Sequence, residues 1–296
     1  MKIKNTNDGS QNPPSLRLDI NYNTCDELPD FSKGPKVTDR EKHKAIAEAG
    51  FKGIQDGIPG LCDELGLNLT AHARVNGVGD LKEFLPVWKS QNYNCVTVHL
   101  GWGVESDKQV NALVNYILDS SVNYDLPIYI ETHRATITQD MFRTVQLVKR
   151  FPEIRFNGDF SHWYTGQEMV YGGIEQKWEF IEPVFERVRF LHGRIGNPGS
   201  IQVAVKNNIN ADYITHFKEM WIRSFLGFLK SAQPGDYIVF TVELLKSAIF
   251  YARMITGENG VNREEGDRWE EAILYKTIAE ECWAEAQDRY AKLKSN

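Results

Sequence analysis

Five of the seven histidines in this chain follow short apolar, β-branched runs: His72 in TAHAR, His99 in TVHLGWG, His133 in YIETHR, His162 in GDFSHW and His192 in LHGR. Acids stand in the same kind of place, with Glu131 after IYI, Asp159 in GDFSHW and Glu243 after IVFTV. A carboxylate led in by buried apolar strand is expensive unless it is paired or bound to a metal. Glu131, Asp159, Glu243 and His192 together make an oxygen-rich site with one nitrogen for one divalent ion. Oxygen ligands favour Mn²⁺ or Mg²⁺, and the imidazole permits Zn²⁺, Co²⁺ or Fe²⁺; Mn²⁺ ranks first. A metal chelating a carbonyl and the adjacent hydroxyl stabilises an enediolate. Carboxylates on opposite faces of that plane can remove and return a proton. Isomerisation, epimerisation and β-elimination of a keto-sugar all begin this way.

The other groups nearby admit two readings each. His72, His99, His133 and His162 have the near-neutral pKa of a second acid, or serve as satisfied rim residues. Arg134 and Arg194 can bind a substrate carboxylate or phosphate, or orient the metal carboxylates through salt bridges. Trp102 and Trp163 can stack on a sugar face, or cap the core.

Positioning these groups takes many strands. Eight runs read as strands: Leu16–Ile20, Gly53–Gln55, Leu69–Ala73, Cys95–Leu100, Ile128–Glu131, Ile154–Asp159, Val188–His192 and Tyr237–Glu243. Near-continuous apolar runs such as CVTVHL suit strands buried on both faces of a parallel sheet. Helical stretches alternate with them. Thr38 caps one that Gly50 ends, Asp80 and Ser106 open two more, and others cover Met141–Phe151, Glu175–Arg187 near Pro183, Asp212–Ser231 and Arg268–Leu293. The Gly60–Leu67 crossover is the weakest. Eight strand–helix units in 296 residues predict a single closed (β/α)8 barrel over residues 16–296, with a doubly wound open sheet as the alternative. Residues 1–15 read as a loose, flexible leader. Gly196–Asn210 and Lys246–Asp267 are long and without clear structure, fit for a lid or a subunit contact.

Composition removes several classes. A net charge of −6 lacks the electrostatic footprint of a nucleic-acid binder. No apolar run reaches the roughly 18 residues that span a bilayer, and the N-terminus has no hydrophobic signal core. Cys25, Cys62, Cys95 and Cys282 have no CxxC pairing and read as reduced thiols of a cytoplasmic protein. No GxGxxG, GxxxxGK[ST] or GxSxG element occurs.

The ordered set of Glu131, Asp159-x-x-His162, His192 and Glu243, with the stretches ETHRATITQD, GDFSHWY and LHGRIGNP, resembles the xylose isomerase-like TIM-barrel superfamily, in its sugar phosphate isomerase/epimerase branch. The resemblance runs from Leu16 to Glu243. It implies one divalent metal on Glu131, Asp159, His192 and Glu243, acid/base roles for the two glutamates, and a substrate contact for His162. The family also carries an arginine a few residues past the strand-seven histidine; here Pro198 stands six residues past His192, and Arg194 two past it. The expected function is a metal-dependent isomerase or epimerase of a sugar or keto-sugar. A lyase acting on a keto-sugar, inosose or 3-keto-glycoside is the alternative, with a second copy or a small subunit as a further partner. A DNA-repair barrel like endonuclease IV would carry Asp-x-His shortly after strand seven, whereas SIQVAVKNNIN stands there. A catalytically silent binding barrel is the remaining alternative.

Overall fold

Alternate residues of each strand enter different layers, and that two-residue period builds the molecule. The computed structural model describes residues 3–257 and 260–295. Its strands are β1 (Thr6–Asn7), β2 (Ser15–Asn21), β3 (Gly53–Gln55), β4 (Asn68–Val75), β5 (Cys95–Leu100), β6 (Ile128–Glu131), β7 (Phe156–Gly158), β8 (Val188–Gly193) and β9 (Asp236–Val242). Strands β2 to β9 are parallel and neighbour one another in chain order, and β9 pairs with both β8 and β2. The sheet therefore closes into a (β/α)8 barrel, and the open-sheet alternative falls.

The outward residues, among them Ile20, Ile54, Val98, Ile130, Leu191 and Phe240, join the large core between barrel and helices. The inward residues Cys95, Tyr129, Phe190, Tyr237 and Val239 form a separate apolar floor inside the barrel. Two residues further along the same strands, the inward positions turn polar: Thr97, Glu131, His192 and Thr241. Glu243 comes two residues after that. Each strand thus runs from apolar floor to polar mouth.

Of the leader expected at residues 1–15, residues 3–7 are packed, and residues 1 and 2 lie outside the described residues. β1 pairs antiparallel with β9, Thr6 opposite Tyr237, and Ile3 is 4 % exposed beneath the floor cluster. The exposed edge of β9 and the uncovered floor give this polar segment a partner.

The helices are α1 (Asp39–Glu48), α2 (Pro59–Leu65), α3 (Phe84–Ser90), α4 (Asp107–Asn123), α5 (Met141–Arg150), α6 (Ser161–Gly166), α7 (Ile174–Phe185), α8 (Asp212–Leu229) and α9 (Arg268–Ser295). Thr38 and Glu41 form a capping box on α1, and the Gln109 side chain accepts from Ser106 at the start of α4. Asp80 does not open α3. Its carboxylate accepts from the Asn76 and Gly77 amides and closes a turn, and the helix begins four residues later. The two long loops meet each other beside the mouth. Gln202 bridges to Ala252 and its side chain bonds both backbone groups of Leu245. The second loop contains a hairpin, β10 (Met254–Thr256) with β11 (Asn262–Glu264).

Candidate metal and catalytic site at the barrel mouth

Glu131, Asp159, His192 and Glu243 reach one volume because each occupies an inward position at its strand's C-terminal end. Glu131, Asp159 and His192 are 1 % exposed or less. The Glu131 Oε2 atom lies 3.4 Å from His192 Nδ1, and Glu243 Oε2 lies 3.3 Å from the same nitrogen. His192 Nε2 faces Gln55 Oε1 at 2.8 Å. The Gln55 oxygen also accepts from Asn21, and its amide donates to Thr97 at 2.9 Å. Gln55 therefore accepts a hydrogen bond from Nε2–H, which keeps the proton on Nε2 and turns Nδ1 toward the carboxylates. Gly193 follows His192 because a Cβ there would collide with the Phe240 ring.

Arg194 lies inside this set. It shares the inward column of His192, two residues on. Its Nη1 is 3.2 Å from Asp159 Oδ2, Nη2 pairs with Glu243 Oε2, and Nε donates to the Glu243 carbonyl at 3.1 Å. Of its two expected readings, the salt bridge to the carboxylates is the one seen. The guanidinium also sits 4.4 Å from the centre of the Tyr251 ring, which the long loop after β9 brings over the mouth.

The remaining histidines form a row. Ring centres of His72 and His99 are 4.2 Å apart, His99 and His133 4.0 Å, and His133 and His162 3.9 Å. His99 Nε2 reaches Glu131 Oε1 at 3.1 Å, and His162 Nε2 lies 3.5 Å from Asp159 Oδ2. Both His162 ring nitrogens, His72 Nε2 and Asp159 Oδ2 are buried without a hydrogen-bond partner.

Burial sets the protonation of the row. It lowers His72 to about 3, with His99 adding to it, and lowers His133 to about 3 against the pull of Glu131. Burial and the neighbouring His133 hold His162 well below its ordinary value. These three rings are neutral at pH 7. Burial raises Asp159 to about 6, with Arg194 opposing. Burial disfavours a charged His192, but Glu243 and Glu131 outweigh it and lift the imidazole to about 9. Burial pushes Glu131 upward, and His99 and His192 overcome it, holding this carboxyl well below the usual range.

The expected substrate contacts divide. Arg134 is exposed at the rim, 5.7 Å from the Tyr251 ring centre. Trp102 is 55 % exposed with the Arg74 guanidinium 4.6 Å above it. Trp163 does not face the mouth: it is fully buried against Phe160, and its Nε1 donates to the Thr138 carbonyl at 2.8 Å. It lies on α6, whose packing against the barrel turns the ring into the core. Gln55, Asn157 and Tyr251 are site residues the sequence reading missed. For Gln55 and Asn157 the available signal was parity, since each is an inward position on its strand.

The donor set fits a divalent cation. One ligand atom from each of Glu131, Asp159 and His192 lies within 4.8 Å of the others. Three carboxylates against Arg194 leave two uncompensated negative charges, 3 − 1 = 2, in a buried volume. In the metal-free protein a protonated His192 offsets one of them. Sets of His72, His99 and Glu131, and of Glu131, His133 and His162, also have metal-holding geometry, with Glu131 common to all.

No protein-family model and no curated protein matches the chain. Among solved structures, a xylose isomerase-like TIM barrel protein from Mycobacterium smegmatis, in complex with magnesium, is similar at 11 % identity and a TM-score of 0.57, over 92 % of this chain and 97 % of that one. This chain has the xylose isomerase-like TIM-barrel fold. Other solved structures are similar as well. A protein from Anabaena variabilis assigned as a sugar phosphate isomerase/epimerase is 10 % identical, TM-score 0.52, over 92 % of this chain and 99 % of that one. A Bacillus anthracis protein assigned as a 3-DHS dehydratase in petrobactin synthesis is 13 % identical, TM-score 0.50, over 88 % and 97 %.

Proposed function

We propose that this xylose isomerase-like barrel is a divalent-metal-dependent isomerase or epimerase of a sugar or keto-sugar that works through an enediolate. The observation that carries the reading is three buried or half-buried carboxylates with one arginine among them, Glu131 and Glu243 converging on His192 Nδ1 and Asp159 within 4.8 Å of Glu131 and His192. These four residues hold the ion, with Mn²⁺ first and Mg²⁺, Co²⁺ or Zn²⁺ behind it. The ion supplies Lewis acidity toward a carbonyl and its neighbouring hydroxyl. Glu243, with 12 % of its side chain exposed, opens to the cleft and is the base. Asn21, 3.3 Å from its Oε1, and Arg194 hold it in place. Glu131 is the opposite member of the acid/base pair. His162 has two free ring nitrogens and binds a substrate oxygen. The magnesium in the Mycobacterium smegmatis neighbour supports the metal, and the four free, buried cysteines suit the cytoplasm.

The Bacillus anthracis neighbour favours one second outcome. If the proton that Glu243 removes is returned to a departing β-hydroxyl, the product is that of a dehydratase, the class to which that neighbour is assigned. Product analysis separates the two. The enolising step common to both is tested by solvent exchange. With candidate keto-sugars in deuterated water, enzyme and Mn²⁺ exchange the substrate C–H, and Glu243→Gln slows this by about 10²-fold or more. Turnover with full retention of the substrate hydrogen means a hydride shift and ends the two-glutamate scheme.

A further inference from the structure

At the other end of the barrel, where β7 and β8 begin, three arginines gather, and two of them, Arg155 and Arg189, have no acid to match them among the described residues. Arg155 precedes β7, Arg187 precedes β8, and Arg189 lies on it. Arg189 is 2 % exposed, yet its N–H groups go only to neutral acceptors: Asn5 Oδ1 at 2.7 Å, the carbonyls of Glu186 and Val188, and Ser231 Oγ at 2.7 Å. Arg155 spends Nη1 on the carbonyls of Pro152, Glu153 and Ile154, while its Nε is buried with no partner. Among the described residues, neither has a carboxylate within 4.0 Å. Burial, with Arg155 beside it, lowers Arg189 to about 10, and burial with Arg187 lowers Arg155.

These cations line open space. A cleft of about 390 Å³ lies between Arg155, Arg187, Arg189 and Lys230. An adjoining one of about 500 Å³ shares Arg155 and Arg189 and adds Lys4. Five cations line the two clefts, in a chain whose net charge is −6; Lys4 pairs with Asp125 at 2.6 Å, Lys230 with Glu186 and Glu182, and Arg187 with Glu186 at 4.0 Å, which leaves Arg155 and Arg189 without a carboxylate partner among the described residues. Asp236 is already engaged by Asn5 and Asn7, and Glu186 by Lys230 at 3.4 Å. A structural role explains why Arg189 holds Asn5 and Ser231. It leaves unexplained the Arg155 Nε and the placing of two guanidinium groups side by side with no carboxylate between them.

Uncompensated buried charge is costly, and a multiply charged anion relieves it. Guanidinium forks match phosphate oxygens in planar pairs, and lysine adds a mobile point charge. We infer that this cleft is an anion site, separate from the mouth, for a phosphate-bearing small molecule. A ligand there would bridge the starts of the two strands whose far ends carry Asp159 and His192.

The test is calorimetric titration of the full chain with inorganic phosphate and with pyrophosphate, at constant ionic strength, alongside thermal unfolding. The expected result is saturable binding with a raised melting temperature. Arg155→Gln weakens it about tenfold or more, the scale of a lost charged hydrogen bond. Arg187→Gln and Lys230→Gln, changed at the surface, each weaken it severalfold without altering the melting temperature of the unliganded protein. Asp159→Asn leaves it unchanged. Binding lost in Asp159→Asn but kept in the three cation variants places the anion at the mouth and overturns the inference. So does the absence of saturable binding through the millimolar range.

Discussion

The barrel encloses two charged clusters, one near its floor and one at its mouth, and they are built differently. Near the floor, Arg17 and Asp19 meet face to face, Nε to Oδ1 at 3.0 Å and Nη2 to Oδ2 at 2.7 Å. The remaining Arg17 nitrogen donates to Asn94 at 2.6 Å and contacts the Tyr237 hydroxyl at 2.9 Å. One cation meets one anion and every charged group has a partner. At the mouth, Asp159 and Glu243 share Arg194, Glu131 meets histidines and the Asn157 amide, and both nitrogens of His162 lack hydrogen bonds. Both clusters occupy inward positions and both are largely buried, so residue type alone does not mark the site. What marks it is incompleteness: a saturated pair is architecture, and an unsaturated set is made to receive something.

Variants on the two sides should therefore behave oppositely. The largest effect is expected at the mouth. Glu131→Gln and Asp159→Asn should lose the metal and lower activity by about 10³-fold or more, while the metal-free protein melts no lower than the parent. Elemental analysis showing unchanged metal in both variants would mean the ligands are misassigned. On the floor, Asp19→Asn should destabilise by about 3–5 kcal/mol in urea, because Arg17 is left buried and unpaired. Activity per folded molecule should hold. If Asp19→Asn costs nothing, the contrast between the clusters collapses.

A smaller effect is expected where the mouth is steered from below. Gln55→Met removes the acceptor that orients His192 and should weaken metal binding by about 10–100-fold, with the fold intact. Unchanged affinity would show that His192 needs no such guide. The smallest effect is on pH dependence. His192 is raised to about 9 in the metal-free protein. A raised histidine contributes stability fully present below its unfolded value of about 6.5 and lost as pH rises through the folded value. In EDTA the melting temperature should fall between pH 7 and 9.5. It should fall less in His192→Asn, since the buried cysteines act equally in both proteins. Identical slopes would place the charge elsewhere.

The strands and the four convergent residues were legible because both depend on short-range signals: apolar runs of the right length, and acids or histidines at their ends. Arg194 was visible as a neighbour of His192, yet its role rests on two-residue parity, which places it in the same inward column. Gln55 carries no charge and ends a strand of only three residues, so composition gave it no prominence. Trp163 stood beside His162 in sequence, but successive residues on a helix face different ways, and α6 turns one ring to the mouth and the other to the core. Tyr251 sits in a loop with no period to read. The packing of residues 3–7 rests on backbone pairing and one isoleucine, which a polar composition conceals.

The seam at β9 has a consequence for how the chain is made. This strand bonds β2 along one edge. On the other, β8 takes Val239–Val242 and β1 takes Asp236 and Tyr237. Thr6 Oγ1 donates to the Tyr237 carbonyl across 231 positions of sequence. On the ribosome, the first strands to emerge must wait for nearly the last one, with the β2 edge unpaired and the floor uncovered. Contacts of such separation fold slowly, and a waiting strand edge is a template for pairing with another chain. Nascent chains halted before Asp236 should therefore be the most chaperone-dependent and aggregation-prone forms of this protein.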